Sequence, residues 1–435
     1  MMSPGRVVMI NDLSHAMGGA SALAVEAALG LAARGHAVSF LSGDTPPHNG
    51  FGHPGILARG LGQGRLLTRG KLDAFTTGLW NRETIGMIRD HIATHDRPDT
   101  IYHLHGWSQI LSPSIFAALA PVRDRLVISA HDFFLACPNG AFADLSTGAP
   151  CTRTPLSLSC WMAGCDRRGR AQKLWRMVRG AIQRMALVPD RCPPVLAIHG
   201  AMRPLLARGG IPETAIRVVP NPVVPWSATR IAAEDNREAL FVGRLEATKG
   251  PDLALAAARA AGMPIRIVGD GAMRESLSAQ YPEARFEGRC PPSRIAELAR
   301  SARLLVMPSR YPEPFGLVAM EALRSGIPVV LPPSALLADD IVRQGAGQAV
   351  EPRDETAFAA ILRELAADNA RVRQMSEAAF TATGSLALDN TAWIDCLIEA
   401  YRDRLNSCRA GIWRTVDQEP SGRALPSMSA SAGGV

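Results

Sequence analysis

No uninterrupted apolar run approaches the roughly 20 residues of a membrane-spanning helix, which argues against an integral helical membrane protein. The start, Met-Met-Ser-Pro-Gly-Arg before Val7-Val8-Met9-Ile10, lacks the pattern of a secretory leader. A soluble cytoplasmic chain is therefore expected. No zinc-finger or RNA-binding signature occurs, which counts against nucleic acid as a partner. The eight cysteines include no paired Cys-x₂-Cys. In a chain read as cytoplasmic they are expected to be thiols or metal ligands, not disulfides.

What is present is apolar substance and positive charge. With 435 residues and 47% hydrophobic content, the chain can build two or more domains with sizeable cores. A formal charge of +7 suits anionic partners such as phosphorylated ligands or lipids, without choosing among them.

The first half alternates strand and helix signals. Arg6–Ile10 reads as a strand, and Gly18-Gly19 opens a helix that ends near Arg34-Gly35, before a strand over Ala37–Leu41. Such a glycine pair is either a tight turn or a place where backbone amides approach a phosphate. Residues 43–72, rich in Gly, Pro and His, read as a long mobile loop. A helix is expected around Leu79–His91, a strand at Thr100–Leu104, a helix at Gln109–Leu119 and a strand at Leu126–Ala130. That last strand runs into His131-Asp132, where His131 is a site candidate by its strand-end position, or a histidine bonded to nearby backbone.

An insert over about 133–166 holds Cys137, Cys151, Cys160 and Cys165, which could form one tetrahedral metal site or remain buried thiols. The basic segment 167–185 carries an apolar stripe at 174, 177, 178, 181, 182 and 185. It reads as an ordinary domain helix with a solvated basic face, or as a peripheral contact at the inner face of a membrane. Strands at Val195–Ile198 and Arg217–Val219 precede Pro220-Asn221-Pro222, where three prolines by Pro225 mark the domain boundary.

The rhythm restarts with a strand at Glu238–Val242 and the turn Gly243-Arg244-Leu245-Glu246-Ala247-Thr248-Lys249-Gly250, then a strand at Ile265–Val268 into Gly269-Asp270-Gly271. Two cations and two glycine turns at neighbouring strand ends favour a diphosphate site. Beyond Arg303–Met307 lies Pro312-Glu313-Pro314-Phe315-Gly316-Leu317-Val318-Ala319-Met320-Glu321. On one helical axis its two carboxylates would stand roughly 80° apart. The expected fold is α/β: two Rossmann-like domains, 1–222 and 223–390, facing across a cleft. A helix over 391–412 would pack toward the first domain, and 413–435 would be a disordered tail.

Together, Gly243-Arg244-Leu245…Lys249-Gly250, Val268-Gly269-Asp270-Gly271, Val219-Pro220-Asn221-Pro222 and Glu313-Pro314-Phe315-Gly316…Glu321 resemble the retaining glycosyltransferases of the GT-B fold, family 4, over roughly residues 5–405. Gly18-Gly19 and His131-Asp132 match that family's acceptor-side half. The resemblance implies transfer of a sugar from a nucleoside-diphosphate sugar to a sugar, glycolipid or sugar-phosphate acceptor, without a catalytic metal or other cofactor. No Asp-x-Asp motif stands near the site. It implies that Arg244 and Lys249 hold the diphosphate, Glu321 the ribose, and Glu313 the donor sugar hydroxyls. It places the amides of Phe315, Gly316 and Leu317 near sugar and phosphate, His131 beside donor and acceptor, and Gly18-Gly19 across the cleft. Gly243, Gly269, Asp270 and Gly271 complete the donor set. Asn221 is followed by Pro222 where the family commonly has Gly. A synthase using a free sugar or sugar phosphate, a nucleotide-sugar epimerase of the same architecture, and an inactive scaffold are the competing readings.

Overall fold

A computed structural model describes residues 4–47, 49–187 and 191–409. The expected tail, 413–435, lies outside them. Among the described residues, thirteen parallel strands form two sheets. The first holds β1 (Arg6–Asn11), β2 (Ala37–Ser42), β3 (Ile56–Gly60), β4 (Thr100–Leu104), β5 (Leu126–Ala130), β6 (Val195–Ala197) and β7 (Ile216–Val218), in the order β3-β2-β1-β4-β5-β6-β7. The second holds β8 (Glu238–Val242), β9 (Ile265–Val268), β10 (Arg285–Gly288), β11 (Ala302–Val306), β12 (Val329–Leu331) and β13 (Gly347–Ala349), in the order β10-β9-β8-β11-β12-β13. In each sheet the strand order reverses beside the first strand, between β1 and β4 and between β8 and β11. Ligands of doubly wound sheets bind at the carboxyl ends of strands at such a reversal.

The central strands are unbroken apolar runs because both faces are covered by helices. β4, β5 and β11 are buried at every residue. Two Rossmann-like domains thus face each other, and Gly19 of the first meets Leu317 of the second: a Cβ on Gly19 would stand 2.7 Å from Leu317 Cδ1.

Several local expectations change. The segment 43–72 is not one loose loop. It contains edge strand β3, paired with β2, and Asp44 ties it down by accepting from Ser14 N–H at 2.9 Å and pairing with His15. The helix expected around 79–91 is two, Lys71–Leu79 and Arg82–His95, with Asn81 capping the second through the amides of Glu83 and Thr84. The helix expected over Gln109–Leu119 shrinks to Ser114–Ala118. Its would-be first amides, those of Gln109, Ile110 and Leu111, are taken by the carboxylate of Asp12 at 2.7–2.9 Å.

The basic helix, Arg170–Leu187, is rotated relative to its expected face, with Met177 of the expected stripe still buried. Lys173 and Arg179 are buried, whereas Leu174 and Met185 are 55% and 72% exposed. The cations tolerate burial because each is partnered. Arg179 donates to the carbonyls of Gly78 and Ser108, both at 2.8 Å, and lies over the rings of Trp107 and Trp175. Arg184 donates to Gly209 O at 2.6 Å. Lys173 donates to the sulfurs of Cys165 at 3.1 Å and Cys160 at 3.5 Å. All four insert cysteines are free thiols, and no cluster of three or more His, Cys, Asp or Glu groups suited to a metal occurs among the described residues. No described helix is long and apolar enough to cross a membrane.

The chain crosses between domains twice, side by side. Val223 N–H donates to Leu388 O at 2.9 Å, and Leu388 N–H returns to Asn221 O at 3.2 Å. The last described helix, Asn390–Arg409, then lies on the first domain. Its Trp393, Ile394, Leu397 and Tyr401 share one core with Val7, Met9, Leu23 and Ala27.

Candidate active site

The turn after β8 delivers Lys249, and the loop after β11 delivers Glu313. Gly250 has φ 68°, and a Cβ there would sit 2.2 Å from Pro308 O, so only glycine lets these loops touch. Lys249 Nζ donates to Glu313 Oε1 and, at 3.0 Å, to the Tyr311 hydroxyl. Ser309 Oγ donates to the same carboxylate oxygen at 2.7 Å. Burial alone would lower the Lys249 pKa; the charge of Glu313 and the Tyr311 contact outweigh it and hold the ammonium above its ordinary range. Burial, with Glu313 beside it, pushes the Tyr311 phenol up to about 12. A fixed cation therefore stands at the strand-order reversal of the second sheet.

The remaining donor-side residues separate into two groups. Gly269 (φ 143°) and Gly271 (φ 158°) carry their turn against the β8 turn. A Cβ on Gly269 would lie 1.8 Å from Gly243 O, and one on Gly271 2.6 Å from Leu245 O. Their glycine character is thus required by backbone packing. Asp270 accepts from Gly271 N–H at 2.8 Å and pairs with Arg274. Arg244 is 61% exposed and pairs with Glu246 at 2.8 Å, with no contact to Lys249. Phe315 is buried, and Gly316 (φ 69°) precedes helix Leu317–Leu323, whose first turn has no side-chain cap. Glu321 lies on that helix while Glu313 lies before it, so the single-axis estimate of their separation does not apply. Burial raises the Glu321 carboxyl to about 7, opposed by a hydrogen bond from the Trp226 side chain.

Across the cleft, Gly18 has extended backbone and nothing within 4 Å of a would-be Cβ. His131 and Asp132 part company. Asp132 faces outward and accepts from Phe134 N–H at 2.9 Å; the protein packed around it raises its carboxyl to about 6. His131 instead ends a buried chain: Tyr401 Oη to His103 Nδ1 at 2.7 Å, His103 Nδ1 to His105 Nε2 at 3.2 Å, and His105 Nδ1 to His131 Nε2 at 2.9 Å. Ser129 Oγ lies 2.9 Å from His103 Nε2. Burial pushes His103 to about 3 and His131 to about 4, so the rings are neutral at pH 7.

Tyr401 sets the proton position at one end of this chain. Tyr401 has no other side-chain partner among the described residues, so its O–H donates to His103 Nδ1. His103 then donates from Nε2 to Ser129, its Nδ1 lone pair being taken by Tyr401. His131 Nδ1 is buried and without a partner among the described residues. Asn221 Oδ1 is likewise unpartnered, and both residues border one narrow gap beside Trp393.

The sequence reading missed Asp12, Ser309, Tyr311, Arg179 and the His103–His105–Tyr401 chain. His103 and His105 did carry a signal: two residues apart at a strand end, they fall on one face beside His131 of the neighbouring strand.

Residues 17–225 match the family described as Glycosyltransferase Family 4, and residues 226–382 match Glycosyl transferases group 1. The chain belongs to the group 1 glycosyltransferases of the GT-B fold. Among curated relatives, this glycosyltransferase is 28% identical over 378 residues to the D-inositol 3-phosphate glycosyltransferase of Thermomonospora curvata, covering 79% of each chain. Its fold matches sucrose-phosphate synthase from Thermosynechococcus elongatus at a TM-score of 0.69 and 18% identity, over 92% of this chain and 99% of that one. It also matches Anabaena HepE in complex with UDP-glucose at 0.60 and 16%, over 92% and 99%. In this glycosyltransferase Lys249 pairs with Glu313, Gly19 meets Leu317, and Arg244 pairs with Glu246.

Proposed function

We propose that the enzyme transfers a sugar from a nucleoside-diphosphate sugar to a hydroxyl of a sugar, glycolipid or sugar-phosphate acceptor, with retention, in cytoplasmic assembly of cell-surface polysaccharide or glycolipid. The observation that carries this reading is the Lys249–Glu313 pair at the strand-order reversal of the second sheet. The Anabaena protein of the same fold was solved with UDP-glucose, which supports a donor of this type.

In this mechanism the bond between the anomeric carbon and the diphosphate oxygen breaks, and negative charge gathers on the diphosphate. Lys249 supplies fixed positive charge where it develops, and Arg244 swings in from its exposed position. No catalytic metal is then required. Glu313 orients Lys249 before donor binding and the sugar hydroxyls after it. Glu321 takes the ribose hydroxyls, and His131 stands beside donor and acceptor. The acceptor oxygen bonds to the anomeric carbon on the face the diphosphate leaves, and its proton passes to the departing phosphate oxygen. A covalent glycosyl-enzyme would need a carboxylate against the anomeric carbon. Glu313 is instead engaged by Lys249 and Ser309.

A sugar-phosphate acceptor is the second reading, favoured by likeness to the inositol-phosphate enzyme. A thermal-shift screen across nucleoside-diphosphate sugars tests the donor: the cognate one raises the unfolding temperature by mass action. No response to any of them overturns the reading. Incubation with labelled donor alone should give slow hydrolysis; an epimer of the donor sugar would assign the site to an epimerase.

A further inference from the structure

We propose that the cavity beside Asp132 binds the acceptor, and that this acceptor is an amphiphile with a phosphate headgroup on a hydrocarbon chain. The inference rests on the glycosyltransferase reading and names the acceptor class. The cavity, about 640 Å³, lies between helices Lys71–Leu79 and Arg170–Leu187. Its lining includes Ser108, Gln109 and Asp132, just past the carboxyl ends of β4 and β5. It therefore opens on the same sheet edge as His131.

Two properties of the lining decide the chemistry. The first is charge. Arg65, Lys71 and Arg168 line the cavity without a carboxylate partner among the described residues, while Arg69 has Asp73 at 3.4 Å and Arg176 has Asp166 at 3.1 Å. Asp132 is the single acidic side chain in the lining. Unpaired cations around one concavity favour an anion, and arginine favours phosphate oxygens.

The second property is an apolar rim in the same wall. Leu67 and Phe75 line the cavity yet are 70% and 54% exposed, and Leu72 on the same helix is 84% exposed. Trp175 adds an aromatic surface. It is fixed by its Nε1–H bond to Phe75 O at 3.1 Å, and Gly78 leaves room for its ring. Contiguous apolar surface beside a pocket marks a binding site more often than a solvent face. A free sugar phosphate would engage the cations and leave Leu67 and Phe75 wet. A neutral glycolipid would cover the apolar rim and leave the cations unanswered. A phosphate joined to a hydrocarbon chain engages both.

The test is calorimetric titration of the full-length protein with decyl phosphate, decyl glucoside and glycerol phosphate, each below its critical micelle concentration. Decyl phosphate should bind at least about tenfold more tightly than either of the others. Arg65→Glu with Arg168→Glu should weaken it by about tenfold or more, and Leu67→Ser with Phe75→Ser should do the same. All four side chains reach solvent, so unchanged unfolding temperatures should accompany the loss. Equal binding of glycerol phosphate would replace the amphiphile by a free sugar phosphate. Equal binding of decyl glucoside would remove the phosphate, and affinity unaltered in both variants would place the site elsewhere. Nucleotide-sugar binding is measured on the same samples. Its absence in the unaltered protein would overturn the donor reading while leaving the cavity result standing.

Discussion

Lys249 and Glu313 meet as an ion pair although each arrives on a different strand end, and the pair sits where the strand order of the second sheet reverses. Lys249→Ala should reduce turnover by about 100-fold or more, because a fixed cation at the developing charge is lost. It should also cost ~3 kcal/mol of stability, since a buried carboxylate is left without its cation. Lys249→Ala with Glu313→Gln should recover most of the stability and none of the turnover. Chemical denaturation and donor-consumption assays read the two effects separately; near-normal turnover in the single variant would remove Lys249 from the mechanism.

Glu321 makes stability depend on pH. Its folded pKa, about 7, lies above the ordinary 4.5. The unfolded chain therefore gives up this proton first as pH rises. The favourable contribution present below about 4.5 is lost progressively up to about 7. Glu321→Gln should remove that dependence and raise stability at pH 8 by on the order of 2 kcal/mol, with little change at pH 4. It should also weaken nucleotide binding. Thermal unfolding at the two pH values measures the first effect; equal shifts at both would refute the assignment.

The two glycine motifs should respond oppositely. Gly269→Ala drives a Cβ into the carbonyl of Gly243 at positive φ and should cost ~2–4 kcal/mol. Gly18→Ala meets nothing within 4 Å and should leave the unfolding temperature nearly unchanged, while raising KM for the donor. An unaltered KM would show that the diphosphate does not approach Gly18.

Tyr401→Phe removes the donor that sets the proton position at one end of the histidine chain. Nitrogen NMR of the unaltered protein should show a single tautomer for His131. The variant should show a second tautomer, lower kcat with little change in donor KM, and a stability loss of ~1 kcal/mol. A single unchanged tautomer would confine Tyr401 to packing.

Strands β4, β5, β8 and β9 were legible to the residue, because a strand covered on both faces is an apolar run cut off by Gly, Pro or charge. β3 was not: as an edge strand it alternates buried Ile56 with exposed Leu57 inside a Gly- and Pro-rich stretch. The helix expected at Gln109 failed because Asp12, nearly a hundred residues earlier, takes its first amides. The rotated basic helix failed likewise, since apolar periodicity assumes that cations face water. Arg179 finds its carbonyls in Gly78 and Ser108, beyond the reach of a local pattern. At the site, motif spacing placed Lys249, Glu313 and Glu321 on the right elements. It could not show that Lys249 and Glu313 hold each other while Arg244 stands apart.

Helix Asn390–Arg409 has a consequence for how the molecule is made. Trp393, Ile394, Leu397 and Tyr401 complete a core begun by Val7 and Met9, so the first sheet emerging from the ribosome lacks these side chains until residues 393–401 are synthesised. The second domain holds all its strands before that helix appears and can settle earlier. Synthesis order and completion order are thus reversed, and a fragment ending near residue 222 would display a bare apolar face where this helix belongs.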